Sequence, residues 1–336
     1  MNTGAVELVC PAGSLAALQA AVDNGADAVY VGFRDGTNAR NFAGLNFSDG
    51  ELERGIHHAH ARGARVFVAI NTYAQPDAVE RWCRAVDRAA DLGADAIIVA
   101  DMAVLAYAAR SQPRLRRHLS VQGSATTHEA INLFVREFGV SRAVLPRVLT
   151  LAQVTQVAAG CDAEVEVFGF GSLCVMVEGR CALSSYVTGQ SPNTAGVCSP
   201  ASAVRWQQGP RGLESRLNGV LVDCYAAGER AGYPTICKGR FEIAGRTQYA
   251  IEEPTSLNTL ELLPRLAWAG VKAVKIEGRQ RSAAYVAEVT RVWRAAIDAL
   301  RDGAAQWSPR ADWLTRLDAL AEGSQHTLGA YERPWK

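Results

Sequence analysis

The sequence predicts a parallel α/β fold closed into a barrel, and three observations carry that expectation. A unit recurs in which a helical stretch ends in a small residue and a glycine, and a short apolar run follows. Adding the apolar runs that lack this glycine brings the count to eight. The regular spacing breaks once, by about a hundred residues between the seventh run and the eighth.

The elements follow in order. "VELVC" (6–10) is the first strand, and "SLAALQAAVD" (14–23) has helical apolar spacing. "NGADAVYVGF" (24–33), "RGARVFVAIN" (62–71) and "LGADAIIVAD" (92–101) supply strands two to four, with the helix "VERWCRAVDRAADL" (79–92) between the last two. "HLSVQGS" (118–124) is the fifth strand, "INLFVREF" (131–138) a helix, "FGVSRAVLPR" (138–147) the sixth strand and "EVEVFGFG" (164–171) the seventh. "AGVKAVKIEGR" (269–279) is the eighth. The glycine suits a left-handed cap at a helix C-terminus. Runs rich in Val, Ile and Ala suit strands buried on both faces. Eight strand–helix units are the count of a TIM-like (β/α)8 barrel. An open doubly wound sheet would want a glycine-rich fingerprint after strand one, and "CPAGSLAAL" (10–18) has no GxGxxG.

The break in spacing reads as a β-rich insert between strands seven and eight. "RWQQGPRGLESRLNGVLVDCY" (205–225) and "KGRFEIAGRTQYAIEE" (238–253) look like short strands joined by glycine turns. The expected organisation is a barrel over 1–280, holding a cysteine-bearing insert at 172–255, and a C-terminal helical extension over 281–336. That extension begins with a long helix (about 281–302) and continues with the amphipathic "RADWLTRLDALAE" (310–322).

Composition sets the outer limits. A chain of 336 residues, 49% hydrophobic, can bury a large core. Its 35 basic and 34 acidic residues leave a formal charge of +1. That gives no support for a strong nucleic-acid or anionic-membrane footprint, and no DNA partner is expected. The N-terminus lacks a basic segment followed by an apolar run, and no apolar stretch reaches the ~18 residues of a membrane span. The expectation is a soluble, cytoplasmic protein with reduced thiols. Its eight cysteines then read as metal ligands, catalytic groups or buried thiols rather than disulfides. There is no HExxH and no GxSxG, so zinc-protease and serine-hydrolase chemistry have no motif. "HHAH" (57–60) reads as a solvated helix face.

Barrel active sites collect at the C-terminal ends of the strands. Those ends offer Arg34, Asn71, Asp101, Gln122, Arg147, Glu277 and Arg279. Five cysteines lie beside the same mouth, Cys174, Cys181, Cys198, Cys224 and Cys237, while Cys10, Cys83 and Cys161 read as core or incidental thiols. Cys174, Cys181 and Cys198 are surrounded by Gly, Ser and Asn, which is poor core and good loop. Four thiolates from this region fit a structural zinc or an iron–sulfur cluster. No close CxxC pair occurs, and wide spacing favours the cluster.

The run "EVFGFGSLCVMVEGRCALS" (166–184) resembles the signature of the collagenase-like peptidase family at Glu166, Phe168, Gly171, Ser172, Leu173, Cys174, Gly179, Cys181, Leu183 and Ser184. Within that family, "GFRDGTNARNFAGLNFS" (32–48), the cysteine spacing and the ending "GAYERPWK" (329–336) are similar to a branch acting in oxygen-independent ubiquinone biosynthesis. The resemblance implies a barrel carrying a 4Fe–4S cluster on Cys174, Cys181, Cys198 and Cys237, with Cys224 outside the ligand set. It also implies a heterodimer with a paralogue that has its own cluster, and a lipid-binding accessory protein. The implied reaction is hydroxylation of the ring of ubiquinone precursors without oxygen, with prephenate as oxygen donor. Other relatives in the family hydroxylate RNA bases.

A donor with two carboxylates favours arginines, whose forked donors match them. Arg34, Arg40, Arg147, Arg180 and Arg279 are the candidates, with Asn41, Asn71 and Gln122 as polar pocket residues. Glu277 is expected to orient Arg279 or to act as acid or base, or else to pair with Lys275 or Arg279. Glu178 and Arg180, between two of the implied ligands, are expected to tune the cluster by contacts around it.

Overall fold

The computed structural model describes residues 6–174, 181–192, 197–229, 231–303 and 307–332. Seven parallel strands come first: β1 (Glu7–Pro11), β2 (Ala28–Gly32), β3 (Arg65–Ile70), β4 (Ala96–Val99), β5 (Arg116–Leu119), β6 (Val140–Val144) and β7 (Glu164–Ser172). Each pairs in parallel with the next. The helices after β1 to β6 are α1 (Leu15–Asp23), α2 (Asp49–His60), α3 (Val79–Asp91), α4 (Met102–Ser111), α5 (His128–Phe138) and α6 (Leu151–Gly160).

The insert follows β7. It opens with α7 (Ala182–Thr188). A three-stranded antiparallel sheet comes next, β8 (Val204–Gly209), β9 (Gly212–Leu217) and β10 (Val220–Tyr225), and then the hairpin β11 (Arg240–Ile243) and β12 (Arg246–Tyr249). The short β13 (Ser256–Asn258) returns the chain to the barrel by pairing antiparallel with the end of β7. Helix α8 (Leu263–Trp268) leads to β14 (Ala273–Ile276), which pairs in parallel with both β7 and β1 and closes an eight-stranded barrel. The fold is therefore the TIM-like α/β barrel that the repeated unit predicts.

The local reasons are visible in the chain. Ser14, Ser48, Asp101, Thr127 and Thr150 each accept a backbone N–H at the start of α1, α2, α4, α5 and α6. Ser48 with Glu51 and Thr150 with Gln153 form complete capping boxes. The five glycines of the repeated unit, at 25, 63, 93, 139 and 270, all have positive φ where a helix hands over to a strand.

Three details differ from expectation. Strand five stops at Leu119, because the Ser120 hydroxyl accepts from Gln122 N at 3.2 Å and turns 121–123 into a 3-10 segment. The helix after β14, α9 (Ala283–Gly303), packs on α1 and β1 and is the eighth helix of the barrel itself. The rest of the C-terminal extension is not only helical: after α10 (Ala311–Asp318), β15 (His326–Thr327) adds a strand beside β13.

The main core lies between strands and helices. A smaller apolar cluster, with Val9, Tyr30, Phe67 and Ile98, lines part of the barrel interior. No helix among the described residues is long and apolar enough to cross a membrane.

Candidate active site

The barrel interior is layered by charge. Near its N-terminal end, Arg142 is fully buried and reaches Glu7 and Glu164 at 2.7 Å and Glu166 at 3.3 Å. Burial alone would lower its pKa, but Glu166, Glu7 and Glu164 hold it above the ordinary arginine value. His118 is buried beside this layer, edge-on to Phe67 at 4.7 Å between ring centroids. Neither ring nitrogen has a partner among the described residues. Burial, then Arg142, Arg116, Lys275 and Arg65, push its pKa well below 6.5, so the ring is neutral.

The next layer holds Lys275 and Tyr30. Lys275 Nζ donates to Glu166 Oε1 at 2.7 Å and lies 4.0 Å from the centre of the Tyr30 ring. The Tyr30 hydroxyl donates to the Ile276 carbonyl at 2.9 Å. Above them lies a pocket of about 40 Å³, whose lining includes Tyr30, Asn71, Ser120, Val144, Lys275 and Arg279. That is room for roughly three waters, a head group rather than an aromatic ring.

Arg279 enters from the loop after β14. It is 4% exposed, and its Nη1 donates to Asn38 Oδ1 at 3.1 Å. A Cβ on Gly32 would lie 2.6 Å from that nitrogen, so glycine there makes the room. Burial pushes the Arg279 pKa down to about 10, and nearby Arg40 adds to the fall. Glu277 is half-buried, with its carboxylate 4.0 Å from Arg40 Nε. Its place depends on Gly171, which has φ +130° and no space for a side chain: a Cβ there would meet Glu277 Cβ at 2.6 Å. Glu277 thus approaches Arg40, while Lys275 pairs with Glu166 instead.

The other sequence candidates divide. Asn71 reaches the pocket, where its Oδ1 accepts from Ala39 N at 3.0 Å and its Nδ2 donates to Ser120 Oγ at 3.3 Å. Gln122 is buried at the mouth, with no partner for Oε1 among the described residues. Arg147 donates to the Ser172 carbonyl and stacks 4.3 Å from the Phe168 ring, which braces the end of β7 two residues before Cys174. Asp101 caps α4. Arg34 does not enter the pocket: its side chain is half exposed and pairs with Glu51 at 2.7 Å. Asn41 is exposed, and the asparagine that serves the site is Asn38. Glu178 and Arg180 lie outside the described residues. Tyr30, Ser120 and Lys275 are site residues that the apolar reading of the strands passed over. The signal for Lys275 was a single cation inside an otherwise apolar strand, Ala273–Ile276.

Beside the mouth the insert brings thiols together. Burial, then among other neighbours the Cys198 and Cys181 thiols, pushes the Cys237 thiol up. Cys198 is exposed as a residue, yet partial desolvation of its sulfur and the Cys181 thiol raise its pKa, while Arg40 pulls it down. Cys181 and Cys198 thus lie within electrostatic reach of Cys237, and Arg40 acts on Cys198 while its Nε approaches Glu277 at 4.0 Å. Ser184 ties two of them, its N–H donating to Cys181 Sγ at 3.3 Å and its hydroxyl to the Cys198 carbonyl. Cys174 is half-buried just past the end of β7. Cys224 lies on β10, with its N–H on Asp223. Among the described residues no three His, Cys, Asp or Glu side chains form a closed metal site. The donor set is still one that fits a metal cluster: several thiols that oppose one another's ionisation, beside a cation. The C-terminal extension reaches the same place, since Glu322 pairs with Lys238 and its carboxylate lies 3.5 Å from Ser172 Oγ.

A closed barrel with a mouth of buried cations, and a cysteine-bearing insert over that mouth, defines the class. The chain belongs to peptidase family U32, whose family model matches residues 13–332. It is 31% identical to "tRNA hydroxylation protein P1" of Bacillus subtilis, over 94% of this chain and 68% of the relative. It is 31% identical to "tRNA hydroxylation protein P" of Escherichia coli, over 94% of this chain and 72% of the relative. It is 32% identical to the "23S rRNA 5-hydroxycytidine C2501 synthase" of Escherichia coli, over 88% of this chain and 40% of that protein. The solved structure of the U32 peptidase Mk0906 aligns over 50% of this chain and 71% of its own, with a TM-score of 0.43 and 17% identity.

Proposed function

We propose that this chain is the iron–sulfur subunit of an oxygen-independent hydroxylase acting on the ring of ubiquinone precursors. The observation that carries the reading is that the insert brings Cys181 and Cys198 within electrostatic reach of Cys237, with Arg40 acting on Cys198, next to a barrel mouth that holds Arg279 and Glu277. Relatives at about this similarity act in RNA hydroxylation by name, which supports hydroxylation as the class of reaction. The ring substrate rests on the resemblance of 32–48, the cysteine spacing and 329–336 to UbiU, a protein of oxygen-independent ubiquinone biosynthesis.

In this reading Cys174, Cys181, Cys198 and Cys237 hold a 4Fe–4S cluster, which supplies one-electron redox chemistry. Arg40 places a positive charge near Cys198, where it favours the thiolate. Glu277 is the acid–base group nearest Arg40. The partner is a UbiV-like paralogue in a heterodimer, served by a lipid-binding accessory protein, and prephenate supplies the oxygen. A second reading, hydroxylation of an RNA base, is favoured by the names of the relatives.

One experiment separates the two. The chain is deleted in its own host and the cells are grown without oxygen. Accumulation of an unhydroxylated ubiquinone precursor supports the first reading. Loss of a hydroxylated tRNA or rRNA base, with ubiquinone intact, supports the second. Iron and acid-labile sulfide on anaerobically purified protein test the cluster: about four irons per chain, lost in Cys237→Ala and kept in Cys224→Ala.

A further inference from the structure

We infer that the pocket above Tyr30 is a receptor for the carboxylate of a small organic acid, gripped by Arg279 and Lys275 with Asn71 and Ser120 beside them. The inference deepens the reading above by assigning the place of an acidic co-substrate, and it rests on that reading only for what the acid is used for.

The first argument is charge. Among the described residues, four cationic side chains are buried in the barrel or at its mouth, Arg142, Arg147, Lys275 and Arg279, against one fully buried carboxylate there, Glu166, and the half-buried Glu277. Glu166 is shared between Arg142 and Lys275. Glu7 and Glu164, at the far end, serve Arg142. Arg279 has the neutral Asn38 as its hydrogen-bond partner; Glu277 acts on it from a distance, and no carboxylate lies within 4.0 Å of it among the described residues. A guanidinium has five donors. Burying one without a carboxylate in contact is costly, and a group held this way is suited to meet an incoming anion.

The second argument is construction. The fold makes a place for this arginine, since Gly32 has no room for a Cβ against its Nη1. The Tyr30 ring lies beneath both cations, 4.0 Å from Lys275 Nζ and 5.7 Å from Arg279 Cζ. That holds them at one side of the pocket. Lys275 spends one donor on Glu166, and the others remain for a ligand.

The third argument is shape. A pocket of about 40 Å³ takes a head group and no more. Arginine's planar fork matches a carboxylate. The remaining walls include Ile98, Val121 and Val144, which suit the carbon that bears the carboxylate better than the hydrated oxygens of phosphate. Arg34, paired with Glu51 on the surface, takes no part.

The test is thermal unfolding of the full, anaerobically purified chain at constant ionic strength in chloride, acetate, benzoate or inorganic phosphate. Acetate and benzoate should raise the melting temperature over chloride, and phosphate should raise it less. Arg279→Met should melt no lower than wild type in chloride and should lose the response to acetate and benzoate. Titration calorimetry should show its affinity for benzoate reduced about 30-fold or more. Asn71→Asp places a carboxylate in the same pocket. It should raise the melting temperature in chloride and abolish the response, and it decides the matter if Arg279→Met does not fold. An identical melting temperature for wild type in all four anions overturns the proposal. So does a response confined to phosphate, or one that survives in Arg279→Met or Asn71→Asp. The readout uses neither iron nor turnover, so this inference and the proposed function can fail separately.

Discussion

His118 is a base held without its proton. Its pKa in the fold lies well below the ordinary 6.5, because burial and four nearby cations oppose a charge on the ring. Below pH 6.5 the unfolded chain therefore takes up a proton that the native state refuses. The stability tied to the neutral ring is complete above that pH. It is lost as pH falls toward the folded-state value, by about 1.4 kcal/mol per pH unit at most. Urea unfolding of wild type and His118→Leu between pH 7 and pH 5 should show the wild type losing stability faster. Parallel curves would sink the account. Glu166→Gln removes the carboxylate shared by Arg142 and Lys275 and should cost about 3 kcal/mol or more, read from the urea midpoint. Arg34→Ala breaks a half-exposed pair and should cost under about 1 kcal/mol, with turnover unchanged. Sequence placed Arg279, Glu277 and Asn71 at the mouth because strand ends can be counted. It passed over Tyr30 and Lys275 because a strand buried on both faces shows no polar face to mark its inside, and only contacts from β7 reveal what Lys275 is for. Choosing between Asn38 and Asn41 depends on how the loop after β2 folds back, which composition does not encode.

At the scale of elements, β7 does two jobs. Its first half is a barrel strand, and its end pairs with β13 and carries the chain into the insert. Gly171 is the joint. With φ +130° and Glu277 Cβ in the way, Gly171→Ala should displace Glu277 and destabilise the protein by well over 1 kcal/mol. The melting temperature and the activity should fall together, while Gly50→Ala, where a Cβ meets nothing within 4 Å, should leave activity intact. The helices and barrel strands were legible because each carries its own punctuation: a capping side chain in front of most helices, and a glycine behind those of the repeated unit. β13 and β15 were not, since three- and two-residue strands have no periodicity and exist only through their pairing. The fifth strand was drawn too long for a local reason, the hydroxyl of Ser120 turning the backbone where the apolar pattern still ran on.

At the scale of the molecule, the C-terminal extension reaches back to the thiols. Glu322 pairs with Lys238, next to Cys237, and faces Ser172, two residues before Cys174. On the proposed cluster reading, Glu322→Ala should loosen that hold, and a chelator should strip iron from the anaerobically purified variant faster than from wild type. An unchanged rate of loss would show the extension to be passive. The closing strand has a further consequence for synthesis. β14 is the neighbour of both β1 and β7, yet about a hundred residues of insert separate it from β7. At 5–20 residues per second, a ribosome takes about 5 to 20 s to cross that stretch. During that interval the first seven strands stand as an open sheet with two bare edges, while the thiols of the insert emerge one after another. The nascent chain is most exposed to mispairing and to oxidants in this window, before its last strand arrives to seal the seam.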